Sequence, residues 1–273
     1  MPGLPMTGLP MKRARLPLGW LLLVSSSLIL LLVLPTLVVI AGALAPARAL
    51  ALLTPAALAA LRLSLVTTGA TLGLTVLFGT PLAYLLARYD FPAKHLVETL
   101  VELPIVLPPT VAGLSLLLTF GRRGLLGQHL ELLGINIAFS SVAVVLAQLF
   151  VASPLYVRAL RSGFARSETT LEAAALTLGA GRWRSFWQVS LPLAKPQLAE
   201  GVTLTWARAL GEFGATLVFA GSLPGRTQTM PLAIYAALET DLDAAFILSA
   251  ILSLVAFALL GLFRRAVSYD QRS

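Results

Sequence analysis

The sequence predicts an all-α integral membrane protein with six transmembrane helices, and three observations carry that prediction. First, hydrophobic residues fill 58% of the 273 positions, mean hydropathy is +0.88, and only 12% of residues are charged. Soluble domains carry about 25% charged residues. Second, apolar runs long enough to cross a bilayer alternate with short polar breaks. Third, the cations cluster in those breaks, so the net charge of +8 reads as topology and not as a nucleic-acid surface.

Taken in order, positions 1–17 form a cytoplasmic leader with Lys12, Arg13 and Arg15 ahead of the first apolar run. The run from Leu18 to about Leu44 is too long for the apolar core of a signal peptide, and no clear small-residue cleavage site ends it. It is read as the first span, kinked at Pro35. A connector holding Pro46, Arg48 and Pro55 leads to the second span, about Leu61 to Leu86, where Gly69, Gly73 and Gly79 permit close helix approach. Arg88, Asp90, Pro92 and Lys94 form a polar loop. The third span runs from about Val97 to Phe120, yet Glu102, Pro104, Pro108 and Pro109 cannot all sit in a straight lipid-facing helix. Either that helix is broken or its start is buried in the bundle. The fourth span covers about Ile137 to Val157, the fifth about Gln197 to Ala220, and the sixth about Ala244 to Phe263, with a polar, turn-rich connector, GSLPGRTQTMP and then Glu239, Asp241 and Asp243, between the last two. The membrane domain is therefore 18–265, with a loop at 166–196 and a cytoplasmic tail at 266–273.

Counting cations places both termini on the cytoplasmic side. That side collects Lys12, Arg13, Arg15, Arg88, Lys94, Arg158, Arg161, Arg166, Arg182, Arg184, Lys195, Arg264, Arg265 and Arg272, against Arg48, Arg62, Arg122, Arg123 and Arg226 outside.

The loop at 166–196 is the longest break between the apolar runs. Glu172 to Leu178 is rich in Ala and Leu, strong helix formers, with Thr169 and Thr170 offering a cap before it and Gly179 and Gly181 ending it. Arg182, Trp183, Arg184, Phe186 and Trp187 follow, before Leu191 and Pro192 stop the next turn. Two readings stay open: a helix docking on a protein at the cytoplasmic face, or an amphipathic helix lying among lipid headgroups.

Chemistry-bearing groups are few. The chain has no cysteine and two histidines, His95 and His129, both read as loop residues, so thiol chemistry is excluded and a histidine-bound metal has little to work with. No phosphate-cradling GxxxxGK[ST] loop, HExxH or CxxC occurs, so no residue is assigned as catalytic, metal-binding or cofactor-binding. Within the spans, Glu102, Arg208 and Glu212 stand out. Arg208 and Glu212 are four residues apart on one helix face, with Gly211 and Gly214 beside them. They read either as an ion pair that fixes packing or as groups lining a polar path or dimer core. The loop donors Ser222, Arg226, Thr227, Gln228 and Thr229 read either as a solvated turn or as partners for an anion.

Several stretches resemble a known family. The loop is similar to the cytoplasmic EAA signature of ABC importer permeases: EAA, three residues, Gly, nine residues, Ile, one residue, Leu-Pro. Gly179, Leu191 and Pro192 match at that spacing and Val189 takes the Ile position. The three signature positions hold Ala173, Ala174 and Ala175, so the acid, Glu172, stands one place early. The stretches Gly79 to Lys94, Leu103 to Gly127 and Ala207 to Tyr235 resemble molybdate permeases and, next, sulfate/thiosulfate permeases. That resemblance, covering about Ser64 to Arg265, implies the fold of a type I importer permease in a bacterial or archaeal cytoplasmic (inner) membrane. It further implies a homodimer lining one pore, two cytoplasmic ATP-binding subunits that hydrolyse the ATP, and an extracytoplasmic oxyanion-binding protein. The substrate it implies is molybdate or tungstate, with sulfate or thiosulfate as the alternative. The loop helix would then be the coupling helix, with Glu172, Ala173, Ala174, Ala175, Gly179, Arg182, Trp183, Leu191 and Pro192 facing or shaping the ATPase contact. An ion-coupled transporter acting alone predicts an inverted repeat, and none is convincing. An intramembrane enzyme would need a nucleophile–base pair, which is also missing.

Overall fold

The computed structural model describes residues 18–43, 54–166 and 169–270. The leader, Pro46, Arg48, Glu168 and the end of the tail lie outside the described residues. All regular structure among the described residues is helical.

Helix α1 (Leu18–Ala43) is a continuous apolar rod containing Pro35. Helix α2 (Pro55–Arg88) starts earlier than the apolar run alone suggests. Thr54 accepts a hydrogen bond from the Ala57 amide at 3.2 Å, and Pro55 takes a first-turn position whose missing N–H costs nothing. At 34 residues it exceeds the roughly 20 needed to cross a bilayer, so one end projects beyond the hydrocarbon. The expected third span is two helices, α3 (Lys94–Val106) and α4 (Pro109–Phe120), bent by 117° at the Leu107–Pro108 junction. Two successive prolines delete two amide donors, and the broken-helix alternative is the one the chain adopts.

After a short loop helix, α5 (Gly127–Leu132), comes α6 (Ser141–Arg166). The segment after α6 folds as α7 (Thr169–Thr177), α8 (Arg182–Ser185), a wide π turn over Phe186–Ser190, and the single turn α9 (Leu191–Leu193). Pro192 does not stop the helix outright, as its ring alone would suggest. The turn ahead of it widens, and the Leu191 amide reaches back to the Phe186 carbonyl.

The expected fifth span is also broken, into α10 (Lys195–Leu210) and α11 (Gly214–Ala220). Neither half is long enough to cross a bilayer alone. An additional helix, α12 (Met230–Thr240), occupies the segment read as a turn-rich connector, and α13 (Leu242–Asp270) closes the described chain. Among the described residues four helices, α1, α2, α6 and α13, are long and apolar enough to span a membrane, and the bent pair α3–α4 makes a fifth if it counts as one span.

Helices α2 and α6 form the central pillar, and α10 packs on both. The face of α2 turned inward carries Ser64, Thr67, Thr68, Thr71 and Thr75, all buried. Thr67 and Thr68 donate back to the carbonyls of Leu63 and Ser64, while Thr71 donates across to Oε1 of buried Gln148 on α6 at 3.0 Å. Such internal satisfaction is what a waterless surrounding demands. Further along, Tyr156 of α6 wedges between two glycines: a Cβ on Gly79 of α2 would lie 2.9 Å from its ring, and one on Gly201 of α10 3.1 Å. Its hydroxyl pairs with Thr80 at 2.7 Å. On the other flank of α6, Ala112, Leu116, Ala143, Val144, Ala147, Ala215 and Phe219 join α4, α6 and α11 in one apolar cluster.

Candidate functional site

Apart from Arg208 with Glu212, the ion pairs made by Arg88, Lys94, Arg122 and Arg161 lie at two ends of the helix bundle. At one end Arg161 pairs with Glu98 (2.8 Å), Lys94 with Asp90 (2.9 Å) and Arg88 with Glu172 (2.7 Å), all around the α7–α9 loop. At the other, Arg122 pairs with Glu131 and Ser141 donates to the Arg226 carbonyl.

The loop's first helix ends by a glycine-specific device. Gly179 adopts φ +87, its amide donates to the Leu176 carbonyl at 3.0 Å, and the Ala180 amide donates to the Ala175 carbonyl at 2.9 Å. These are the two bonds of a Schellman ending, which needs a left-handed residue at that position. The turn throws Leu178 outward, where it is 88% exposed, and Trp183 of α8 follows at 74%. Ala173, Ala174, Arg182, Trp187 and Pro192 are also exposed, while Ala175 and Leu191 are half-buried. An apolar ridge with cations at its rim is therefore presented away from the bundle.

Glu172 does not belong to that ridge. Its side chain is only 14% exposed and bonds Arg88, itself 10% exposed, at the end of α2. A second tether lies after the ridge. The ring of Tyr84 meets Phe186 edge-on at 5.0 Å and Phe164 of α6 at 5.2 Å, and Phe186 in turn stacks near Trp183. Sequence reasoning took Arg88 only as a topology marker and did not single out Tyr84. Their i, i+4 spacing puts Tyr84 and Arg88 on one face of α2, but it does not name their partners, since the loop carries two acids, Glu168 and Glu172.

The second candidate group sits at the α10–α11 break. Arg208 Nη1 donates to Glu212 Oε2 at 2.6 Å, and Glu212 Oε1 accepts the Ala215 amide at 2.8 Å. Each carboxylate oxygen thus has a partner: one closes the ion pair, the other caps the start of α11. Glu212 is 1% exposed and Arg208 35%. Gly211 ends α10, and Gly214 lets Pro109 approach so closely that a Cβ there would lie 2.6 Å from the proline's own. Gly113 does the same one turn along, where a Cβ would lie 2.7 Å from Val218. Thus α4 and α11 run side by side from their breaks. The structure brings Arg208, Gly211, Glu212 and Gly214 together, whereas Glu102 stands half-buried on α3, which packs on α6.

The loop donors at the opposite end are mostly engaged with one another. Thr227 bonds the Leu223 amide and the Gly221 carbonyl, and Gln228 donates to Ser222. Thr227 and Thr229 are buried, leaving Arg226 as the exposed donor of the set. The segment is a folded turn with its own hydrogen bonds rather than an open anion cradle.

Comparison with known proteins fits this architecture. Residues 79–272 match the family described as binding-protein-dependent transport system inner membrane component. The molybdenum transport system permease protein ModB of Mycobacterium tuberculosis is 48% identical over 203 residues, covering 74% of this chain and 77% of that protein. The sulfate transport system permease protein CysW of Synechococcus elongatus is 41% identical over 218 residues, covering 78% and 76%. Among solved structures, a bacterial ABC transporter involved in the import of the acidic polysaccharide alginate superimposes with TM-score 0.69 at 16% identity, over 93% of this chain and 95% of that one. The chain belongs to the family of binding-protein-dependent transport system inner membrane components.

Proposed function

We propose that this permease subunit carries molybdate, or tungstate, into the cell as part of an ATP-driven importer. The observation that carries the substrate is the 48% identity to a molybdenum transport permease over three quarters of both chains. Sulfate is the second reading, supported by 41% identity to a sulfate permease over a similar share.

In this reading two copies line one pore in the cytoplasmic membrane, with both termini inside. Two ATP-binding subunits dock on the α7–α9 loops, and an extracytoplasmic binding protein delivers the oxyanion. The ridge of Ala173, Ala174, Leu178 and Trp183, rimmed by Arg182, supplies an apolar surface suited to a groove on the ATPase. Gly179, Leu191 and Pro192 shape its backbone. Closure of the two ATPases moves the paired loops, and the pore alternates between inward- and outward-facing states. The Arg208–Glu212 pair, with Gly211 and Gly214, holds the broken helix at the pore or dimer core, and Glu102 is assigned to the same polar region more loosely. The chain itself has no nucleotide-binding motif, so hydrolysis falls to the partner.

The test is uptake of labelled molybdate by proteoliposomes holding this chain, its ATPase and its binding protein. Competition by tungstate but not sulfate supports the proposal; competition by sulfate moves the chain to the second reading. Uptake that persists without the ATPase overturns both.

A further inference from the structure

We propose that Tyr84 and Arg88 form a two-point clamp that passes the docking loop's motion into α2, with Glu172 an inward-facing positioning residue and not an ATPase contact. The inference rests on the docking reading above and adds the route by which that docking reaches the membrane.

Three observations support it. Arg88 and Glu172 meet at 2.7 Å across 84 residues of sequence, and both are largely withdrawn from water. Taking away one member of such a pair strands the other, so the contact is held firmly. Tyr84 lies one turn before Arg88 on the same face of α2 and packs edge-on against Phe186 at 5.0 Å. The exposed ridge lies between these two contacts in sequence, so one turn of α2 grips it on both flanks. Finally, consecutive residues of a helix are rotated by about 100°. Placing the acid at 172 instead of 173 therefore swings it from the exposed face of α7 toward α2, and Ala173 occupies the outward position. Beyond the clamp, α2 continues as a single 34-residue helix packed along α6, a stiff element suited to carrying a displacement inward.

The experiment uses the reconstituted transporter with its ATPase and binding protein, supplied with whichever oxyanion the competition assay establishes. Glu172→Gln and Arg88→Gln are each expected to keep the ATPase bound and ATP hydrolysis running, while substrate moved per ATP falls about tenfold. Exchanging the two charges, Arg88→Glu with Glu172→Arg, should recover most of the loss. Release of the ATPase by Glu172→Gln alone would overturn the proposal, because the carboxylate would then be a subunit contact. Unchanged transport in both single variants would overturn it as well. The chain has no cysteine of its own, so Arg88→Cys with Glu172→Cys, joined by a short bifunctional thiol reagent, asks the same question without leaving a buried charge unpaired. Transport that survives this link supports the clamp, and transport abolished with the ATPase still bound refutes it. Failure of the docking reading itself has a separate signature: Leu178→Ser with Trp183→Ser would leave the ATPase bound.

Discussion

Replacing Glu212 by Ala perturbs the α10–α11 break at its most buried charge. Two bonds are lost: the 2.8 Å bond from the Ala215 amide and the 2.6 Å bond from Arg208. Loss of a helix-capping acceptor costs about 1 kcal/mol. A hydrogen bond to a charged partner contributes about 1.5–3 kcal/mol. Arg208 is 35% exposed and can rehydrate, which holds the second term near its lower end and the total at about 2.5 kcal/mol. For a chain of this size, 1 kcal/mol shifts the melting temperature by about 2–4 °C, so a drop of about 5–10 °C is expected. Glu212→Gln keeps an acceptor for Ala215 and loses only the charge, so its drop should be about half as large. Thermal unfolding in lipid nanodiscs measures both. A cycle with Arg208→Gln then separates the pair from the cap: the Glu212→Gln effect should shrink when Arg208 is already gone. A Glu212→Ala protein that melts within about 2 °C of the parent would refute the reasoning, since two lost bonds could not cost so little.

Two further perturbations act on the loop proposed to dock the ATPase. Gly179→Pro demands a φ near −65° where the chain holds +87 and deletes the amide that bonds Leu176; the protein should still insert in the membrane, while ATPase-driven uptake is lost. Leu178→Ser removes a side chain that docking would bury, worth about 1.5–3 kcal/mol, so the affinity of the ATPase subunit, read by titration into nanodiscs, should fall about tenfold or more.

What the sequence made legible was local. Helix α7 followed from Ala and Leu content and its end from Gly179, because a left-handed residue after a helix is a one-residue decision. For the third span Glu102, Pro104, Pro108 and Pro109 left two alternatives, a broken helix or a buried start, and the chain breaks at Pro108. The pairing of Arg208 with Glu212 needed only their spacing of four. Helix α12 was missed although Thr229 and Pro231 are a helix-start pattern, because Glu239, Asp241 and Asp243 drew the reading toward a loop. The fifth span breaks over Gly211, Glu212 and Phe213, inside a stretch the sequence reads as one span, and the close approach of Pro109 explains Gly214. Arg88 with Glu172, and Tyr84 with Phe186, are tertiary contacts that no spacing rule reaches.

The packing gives α6 a particular place between the two candidate groups. On one flank it carries α2 through the threonine face, Gln148 and the Tyr156 wedge, and α2 ends at Arg88, the proposed clamp on Glu172 of α7. On the other flank it carries α4 and α11, whose starts lie at the Glu212 break. Interiors packed this closely do not deform smoothly; they shift as blocks. A push delivered to α2 therefore bears on α6 through contacts with no spare volume, since Gly79 and Gly201 leave Tyr156 no room to slip. The short half-helices α4 and α11, the second capped by the Glu212 carboxylate, are in the proposed importer the elements on the far side that can respond. In the proposed importer the break is thus a consequence of where movement is needed: a continuous fifth span would have tied both faces of the membrane to a single rod.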